Sequence, residues 1–476
     1  MKKVFLLFLL GINSILANSQ VLINKWSGVL NAGGRKIELV LNIVQNTDKT
    51  FQSNWDIPAQ KIKGLASSKT ELLNNQLAIE IKMIGGGYAA VLNATGDKME
   101  GTWTQSGMNF PLNMEPFKEG QVEKMVVKPQ TPQAPYSYSV KDFVYEGLDT
   151  KLSYGATLTY PTDQVKHPLI ILITGSGKQD RDETIFDHKP FAVVADYLTK
   201  KGYAVLRVDD RGAGKSTGDF SNSTTADFAL DVEEHIRYVK SLPMIDTNKI
   251  GLLGHSEGGL IAPMVAARNK SVAFVILLAG PGIPITQLMA LQNEMVLKSA
   301  GISQEAINAY LPLYTNLMKT IIAVDNAKDA TAQSMEIVKA WYNRTDKNLV
   351  KTTTNISSET DINKFAALMA ETLSTKWWKY FASYNPQLAL QKIKCPVLAI
   401  NGSQDIQVPA TANLNGIEIA LNNAGNKNFT TKKFEGMNHL FQKCTKCTVP
   451  EYGELETTME PEVLVYIHQW MIKAGF

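Results

Sequence analysis

The chain has 476 residues, 44% of them hydrophobic and 20% charged, which excludes a disordered or fibrous chain and a small single-core module and suits two or three folding units. Its formal charge is only +3, and Lys2 and Lys3 of an N-terminal leader contribute two of those cations. Charge therefore gives no reason to expect nucleic acid or an acidic lipid surface as a partner.

Residues 1–19 read as a secretory signal peptide. Two lysines precede an apolar run from Val4 to Leu10, and Ala17 and Ser19 frame a cut before Gln20. The run falls well short of the roughly 20 residues that span a bilayer, and no later stretch is long and apolar enough to do so. The expected product is exported, periplasmic or extracellular, with no membrane span and no cysteine at the cut to carry a lipid.

Residues 20–117 alternate with period two. Ile37, Leu39, Leu41 and Ile43 interleave with Lys36, Glu38 and Asn42, and Leu77, Ile79, Ile81 and Met83 repeat the pattern. With Gly33-Gly34, Gly85-Gly86-Gly87 and Gly96-Asp97 as punctuation, this predicts a small all-β domain of antiparallel hairpins, a sandwich or a partly closed barrel. Trp26 and Trp103 are expected in its core, with a ligand platform as the alternative. Pro129, Pro132 and Pro135 among polar residues mark 118–137 as an extended linker.

From 138 to 476 the rhythm is α/β. Short apolar strands at 169–174, 204–209, 250–254, 273–279, 397–401 and 430–435 are separated by helical patterns at 190–201, 225–241 and 461–474, which predicts a mostly parallel sheet covered by helices. Between about 284 and 386 the strands stop, and stretches such as 287–300 and 304–324 read as an inserted helical cap. Its cluster Trp377, Trp378, Tyr380 and Phe381 suits either an acyl pocket or packing of the cap onto the body.

In an oxidising compartment the three cysteines leave one over. Cys395 opens an apolar strand and is expected to be buried. Cys444 and Cys447 form an isolated CxxC, too little for zinc, and a local disulfide is favoured over a redox pair.

The chemistry is most legible at Gly254-His255-Ser256-Glu257-Gly258, a GxSxG between the strand 250–254 and a helical run at 259–268. A nucleophile on such a sharp turn needs small neighbours, and the turn lifts the hydroxyl clear while aiming the next amide and the helix N-terminus at a reacting carbonyl. Ser256 is thus the candidate nucleophile. With this motif in its strand-and-helix setting, the chain from 139 to 476 resembles the α/β hydrolases of the serine esterase and peptidase type. It is similar to bacterial two-domain esterases with dienelactone-hydrolase-like or serine-aminopeptidase-like signatures.

The resemblance implies the chain order Ser, acid, His. Asp405, in Asn401-Gly402-Ser403-Gln404-Asp405 after a strand, fits the acid, since the alternative place after the preceding strand offers Ala279-Gly280-Pro281-Gly282 and no carboxylate. Of the two histidines that follow, His468 lies in the terminal helix. His439 follows a strand in Gly436-Met437-Asn438-His439, where a flexible approach would bring the ring to Ser256. The resemblance also assigns the oxyanion hole to the backbone N–H groups of Ser176 and Glu257, although Thr174 stands where His is common.

Asp180-Arg181-Asp182-Glu183 is an unusual charge cluster near such a site. It is expected to be a solvated salt-bridged loop, with ordering of the rim or binding of a polar substrate as alternatives. Gly212-Ala213-Gly214-Lys215-Ser216 is no phosphate loop, because Asp209 stands where its first glycine belongs. It resembles instead the DxRGxGxS turn of α/β hydrolases, with Arg211 bracing neighbouring loops. The expectation is a serine carboxylesterase acting on a small-molecule acyl ester without metal or organic cofactor. A serine peptidase, or a glycan-binding protein with an ancillary hydrolase domain, is the alternative, and oligomeric state is not legible.

Overall fold

The computed structural model describes residues 25–32, 35–46, 48–58, 62–73, 75–81, 86–105, 108–118 and 128–476. The expected signal peptide at 1–19, the turn glycines Gly33, Gly34 and Gly85, Met83 and residues 119–127 of the expected linker lie outside the described residues. The chain divides between Val126 and Val127 into two compact units.

The described residues of the first unit form a meander of nine antiparallel strands, β1 (Lys25–Ala32), β2 (Arg35–Gln45), β3 (Phe51–Ile57), β4 (Ile62–Ala66), β5 (Lys69–Leu73), β6 (Gln76–Ile81), β7 (Gly86–Leu92), β8 (Met99–Gln105) and β9 (Met108–Pro116), in the order β4-β3-β2-β1-β9-β8-β7-β6-β5. Ser53 Oγ on β3 meets Thr70 Oγ1 on β5 at 2.7 Å, so the sheet curls toward closure. Alternation buries Leu39, Leu41, Ile43, Leu77, Ile79 and Ile81. Trp26 and Trp103 are each 1% exposed and belong to this core rather than to an open platform.

The second unit holds an eight-stranded sheet in the order β10-β11-β13-β12-β14-β15-β16-β17. The six strands expected from sequence are β12 (His167–Ile173), β13 (Ala204–Val208), β14 (Ile245–His255), β15 (Val272–Leu278), β16 (Val397–Gly402) and β17 (Phe429–Phe434), all parallel. Their near-continuous apolar runs fit burial on both faces. Two further strands, β10 (Ser139–Glu146) and β11 (Ser153–Tyr160), extend one edge in antiparallel fashion. They escaped the sequence reading because β11 (SYGATLTY) is buried through small and hydroxyl side chains, Thr157 and Thr159 among them, rather than through an apolar run.

Helices α1 (Pro190–Thr199), α2 (Thr225–Val239) and α3 (Gly258–Ala266) follow β12, β13 and β14. The capping box of Thr224 with Asp227 sets where α2 begins. The cap consists of α4 (Ile285–Ser299), α5 (Gln304–Ala323), α6 (Ala327–Arg344), α7 (Lys347–Thr354), α8 (Glu359–Leu373) and α9 (Lys376–Ser383), with its own apolar core. Helices α10 (Gln387–Leu390), α11 (Ala410–Asn423) and α12 (Pro461–Lys473) complete the unit. Because β12 to β17 run the same way, the loops that leave them gather along one edge of the sheet. Among the described residues no helix is long and apolar enough to cross a membrane.

The second half of the proline-bearing stretch packs within this unit. Lys128 Nζ donates to the carbonyls of Gly453 and Leu455, and Gln130 bonds Thr458 and Met459. Cys444 and Cys447 form the expected disulfide. Cys395, expected to be buried, is a half-buried free thiol, because it precedes β16 instead of lying within it; burial still pushes that thiol up to about 11.

Candidate active site

Ser256 follows β14 directly, with a φ of +53° that a non-glycine residue holds only when its surroundings enforce it. Those surroundings are specific. The Ser256 amide donates to the Leu278 carbonyl at 2.9 Å, and α3 starts two residues later. Gly258 is required because a Cβ there would lie 2.1 Å from the Ile173 carbonyl oxygen. The turn therefore presses against the end of β12, where Thr174-Gly175-Ser176 begins.

The predicted acid and base meet. His439 Nδ1 donates to Asp405 Oδ2 at 2.7 Å, and both residues are buried. The other carboxylate oxygen of Asp405 accepts the amides of Gln407 and Val408 at 2.8 and 2.9 Å, so its orientation is set from its own loop. Against the expectation of a flexible approach, the His439 loop is buried and tightly bonded. Asn438 Oδ1 accepts the Leu440 and Gln442 amides, Asn438 Nδ2 donates to Gln442 Oε1, and the Gly436 amide donates to Ser403 Oγ. The ring is thus held in place rather than delivered by motion.

Ser256, His439, Ser176 and Glu257 all line one cavity of about 220 Å³. One wall is apolar, with Leu288 and Met289 from α4 and Trp377, Trp378 and Phe381 from α9. Three of the four residues of the aromatic cluster therefore face the site, whereas Tyr380 stacks on Tyr384 and packs into the body. Trp377 stacks on Phe381 and donates its indole N–H to Glu257 Oε1 at 2.9 Å. Thr225 Oγ1 donates to the same oxygen at 2.7 Å. Burial raises the pKa of the Glu257 carboxyl, and these donors oppose the shift.

The loop Thr174-Gly175-Ser176 sits over Ser256, since a Cβ on Gly175 would lie 3.2 Å from Ser256 Cβ. Its Gly175 amide is taken by Glu183 Oε1 at 2.6 Å, which leaves Ser176 as the next donor along the chain. Glu257 occupies the N-cap of α3, where amides lack intrahelical partners. Thr174, in place of the common histidine, donates through Oγ1 to Asp210 Oδ1 at 2.7 Å and so anchors the loop. Burial, reinforced by the Glu183 and Glu257 charges, pushes the Asp210 carboxyl up to about 8.

The charge cluster at 180–183 is not the solvated loop expected from sequence. Arg181 grips both carboxylate oxygens of Asp209, at 3.0 and 2.7 Å, Asp182 pairs with Arg207, and Glu183 is 4% exposed. The cluster is evident in the sequence but the burial of Glu183 is not, because its partner His255 lies 72 positions away. Arg211 braces as expected, reaching Asp231 from Nε at 2.5 Å and Ser223 from a terminal nitrogen at 3.3 Å. Among the described residues, the one cysteine and acid group with metal-ligand spacing is Cys444, Cys447 and Glu451, whose two sulfurs are already joined to each other.

A mostly parallel sheet whose carboxyl edge presents a serine on a strand-to-helix turn, beside a histidine bonded to an aspartate, defines an α/β hydrolase. The chain belongs to the family described as "Serine aminopeptidase, S33", whose signature matches residues 188–443. It is 22% identical to Esterase EstD of Thermotoga maritima over 465 residues, which span 95% of this chain and 99% of that protein. Among solved structures it is similar to the Pyrococcus furiosus esterase Pf2001, with 16% identity and a TM-score of 0.41 over 71% of this chain and 92% of that one. It is likewise similar to the α/β hydrolase GrgF of a Penicillium species, with 16% identity and a TM-score of 0.42 over 71% and 98%.

Proposed function

We propose that this protein is an exported serine esterase that cleaves small acyl esters through an acyl-enzyme. The observation that carries the reading is the shared cavity. Ser256, in left-handed backbone, opens onto the same space as a histidine whose other nitrogen is held by a buried aspartate. In this reading His439 takes the Ser256 proton as Oγ attacks the carbonyl carbon and returns it to the departing alcohol. Asp405 fixes the tautomer and stabilises the imidazolium. The amides of Ser176 and Glu257 receive the oxyanion, each such donor typically lowering the barrier by about 3 kcal/mol. Water, activated by His439 in turn, then releases the acid and restores the serine.

The ester preference is supported by alignment with Esterase EstD along nearly the whole chain and by an apolar wall suited to an acyl group. Export is supported by the leader sequence and by the Cys444–Cys447 disulfide, a bond characteristic of oxidising compartments. A fluorophosphonate probe should label Ser256, and Ser256→Ala should lose at least about 10³-fold in kcat on p-nitrophenyl acetate while its melting curve is preserved. Faster turnover of aminoacyl or prolyl amides than of p-nitrophenyl esters would replace the esterase reading with a peptidase one.

A further inference from the structure

Outside the proposed triad, one carboxylate oxygen joins two segments of the catalytic edge. Glu183 Oε1 accepts the amide of Gly175 in the oxyanion loop at 2.6 Å and bonds Nδ1 of His255, the residue before the nucleophile, at 2.9 Å. His255 Nε2 in turn bonds the backbone carbonyl of His439 at 3.1 Å. Both of its ring partners are acceptors, and only an imidazolium, donating from both nitrogens, satisfies them together. The electrostatics agree in direction. Burial, the largest single influence, lowers the pKa of His255, but the Glu183 carboxylate, the His439 carbonyl and the Asp405 charge together outweigh it and the pKa is raised.

We infer that Glu183 is a positioning residue of the reaction, a latch that holds the oxyanion loop, the nucleophile turn and the His439 segment in one register through a charged histidine. This rests on the reading of Ser256 as nucleophile. A second observation supports it. Glu183, Phe186 and Asp187 all have positive φ, near 51°, 50° and 64°. Three such residues within five are costly and persist only where the surroundings enforce them. That enforcement is visible, because Asp180 accepts the Asp182 and Thr184 amides and Arg181 clamps Asp209, delivering Glu183 to the interior. The carboxylate touches no reacting atom; it acts by fixing where the amide after Gly175 points, and such preorganisation lowers the barrier without contributing to ground-state binding.

The test compares Glu183→Gln and Glu183→Leu with the wild type, with kcat expressed per site titrated by a fluorophosphonate. KM is measured on p-nitrophenyl acetate, and affinity on an alkylboronic acid, which forms a tetrahedral adduct on serine. Glutamine keeps a carbonyl oxygen for the Gly175 amide but removes the countercharge of His255, whereas leucine removes both. The expected order is a loss in kcat of about tenfold for Gln and at least about a hundredfold for Leu, with parallel losses in boronate affinity and KM within threefold. Wild-type kcat and boronate affinity in Glu183→Gln, or a loss confined to KM, would overturn the inference. If Glu183→Leu does not fold, the Gln arm decides alone. A Glu183→Gln that fails to fold would assign the carboxylate to stability and overturn it as well. Absence of labelling at Ser256 in the wild type would instead overturn the nucleophile assignment.

Discussion

The imidazole rings of His255 and His439 lie 4.7 Å apart, yet their hydrogen bonds give them different duties. His255 meets an acceptor at each nitrogen, an arrangement that favours the imidazolium. His439 meets the Asp405 carboxylate at Nδ1, which leaves Nε2 as the nitrogen able to take a proton. In the proposed mechanism one ring is a fixed positive strut and the other the proton carrier, a division that follows from partners rather than from residue type.

Replacing Asp405 by asparagine should leave the loop intact, because the side-chain oxygen still accepts the Gln407 and Val408 amides. The new amide nitrogen would face His439 Nδ1 and favour the wrong tautomer. On p-nitrophenyl acetate kcat should fall by about 10⁴-fold with a melting temperature near that of the wild type. Retention of more than a tenth of the activity would remove Asp405 from the triad.

Stability should carry an imprint of Asp210. Its folded pKa is pushed up to about 8 by burial, so the folded protein binds a proton that the unfolded chain releases near pH 4. The stability this group contributes is full below pH 4 and is lost progressively as pH rises to about 8. Asp210→Asn should flatten that part of a plot of Tm against pH, whatever constant offset it introduces. An unchanged slope between pH 5 and 8 would show that Asp210 is ionised in the fold.

The disulfide closes a loop of four residues beyond the His439 segment, with Glu451 accepting the amides of Thr445, Lys446 and Cys447. For so small a loop, chain entropy predicts about 2 kcal/mol of stabilisation. The double variant Cys444→Ser, Cys447→Ser should melt several degrees lower and no longer respond to reductant, as scanning calorimetry with and without a thiol would show. Equal melting of the wild type in both conditions would contradict the prediction.

Phe381 stacks on Trp377 at 5.1 Å between ring centroids and forms part of the apolar wall. Phe381→Ala should deepen the acyl side of the cavity. The ratio of kcat/KM for p-nitrophenyl octanoate to that for the acetate should rise by about tenfold, in line with what a few methylenes contribute in an apolar pocket. A falling ratio would place the acyl group elsewhere.

The parallel strands, the cap and the candidate residues Ser256, Asp405 and His439 are legible because each announces itself locally. Buried parallel strands need apolar runs, and a nucleophile turn needs glycines at fixed offsets. A loop after a strand is where an acid or a base can reach the sheet edge. Where local signals are weak the structure departs from expectation. β11 is buried through threonine and glycine, Cys395 lies just before its strand, and the His439 loop owes its rigidity to Asn438 and Gln442, whose bonds no pattern of spacing reveals.

By itself the amino-acid order determined the two kinds of architecture and the identity of the candidate triad, since periodicity and turn chemistry act over a few residues. Only the tertiary structure decided that Glu183 lies inside against Gly175 and His255, that Asp210 anchors Thr174, and that Tyr380 turns away from the cavity lined by its neighbours. Those outcomes depend on side chains from distant segments sharing a space from which water is excluded. Charge, hydrogen bonding and burial there are properties of the assembled group and of no residue alone.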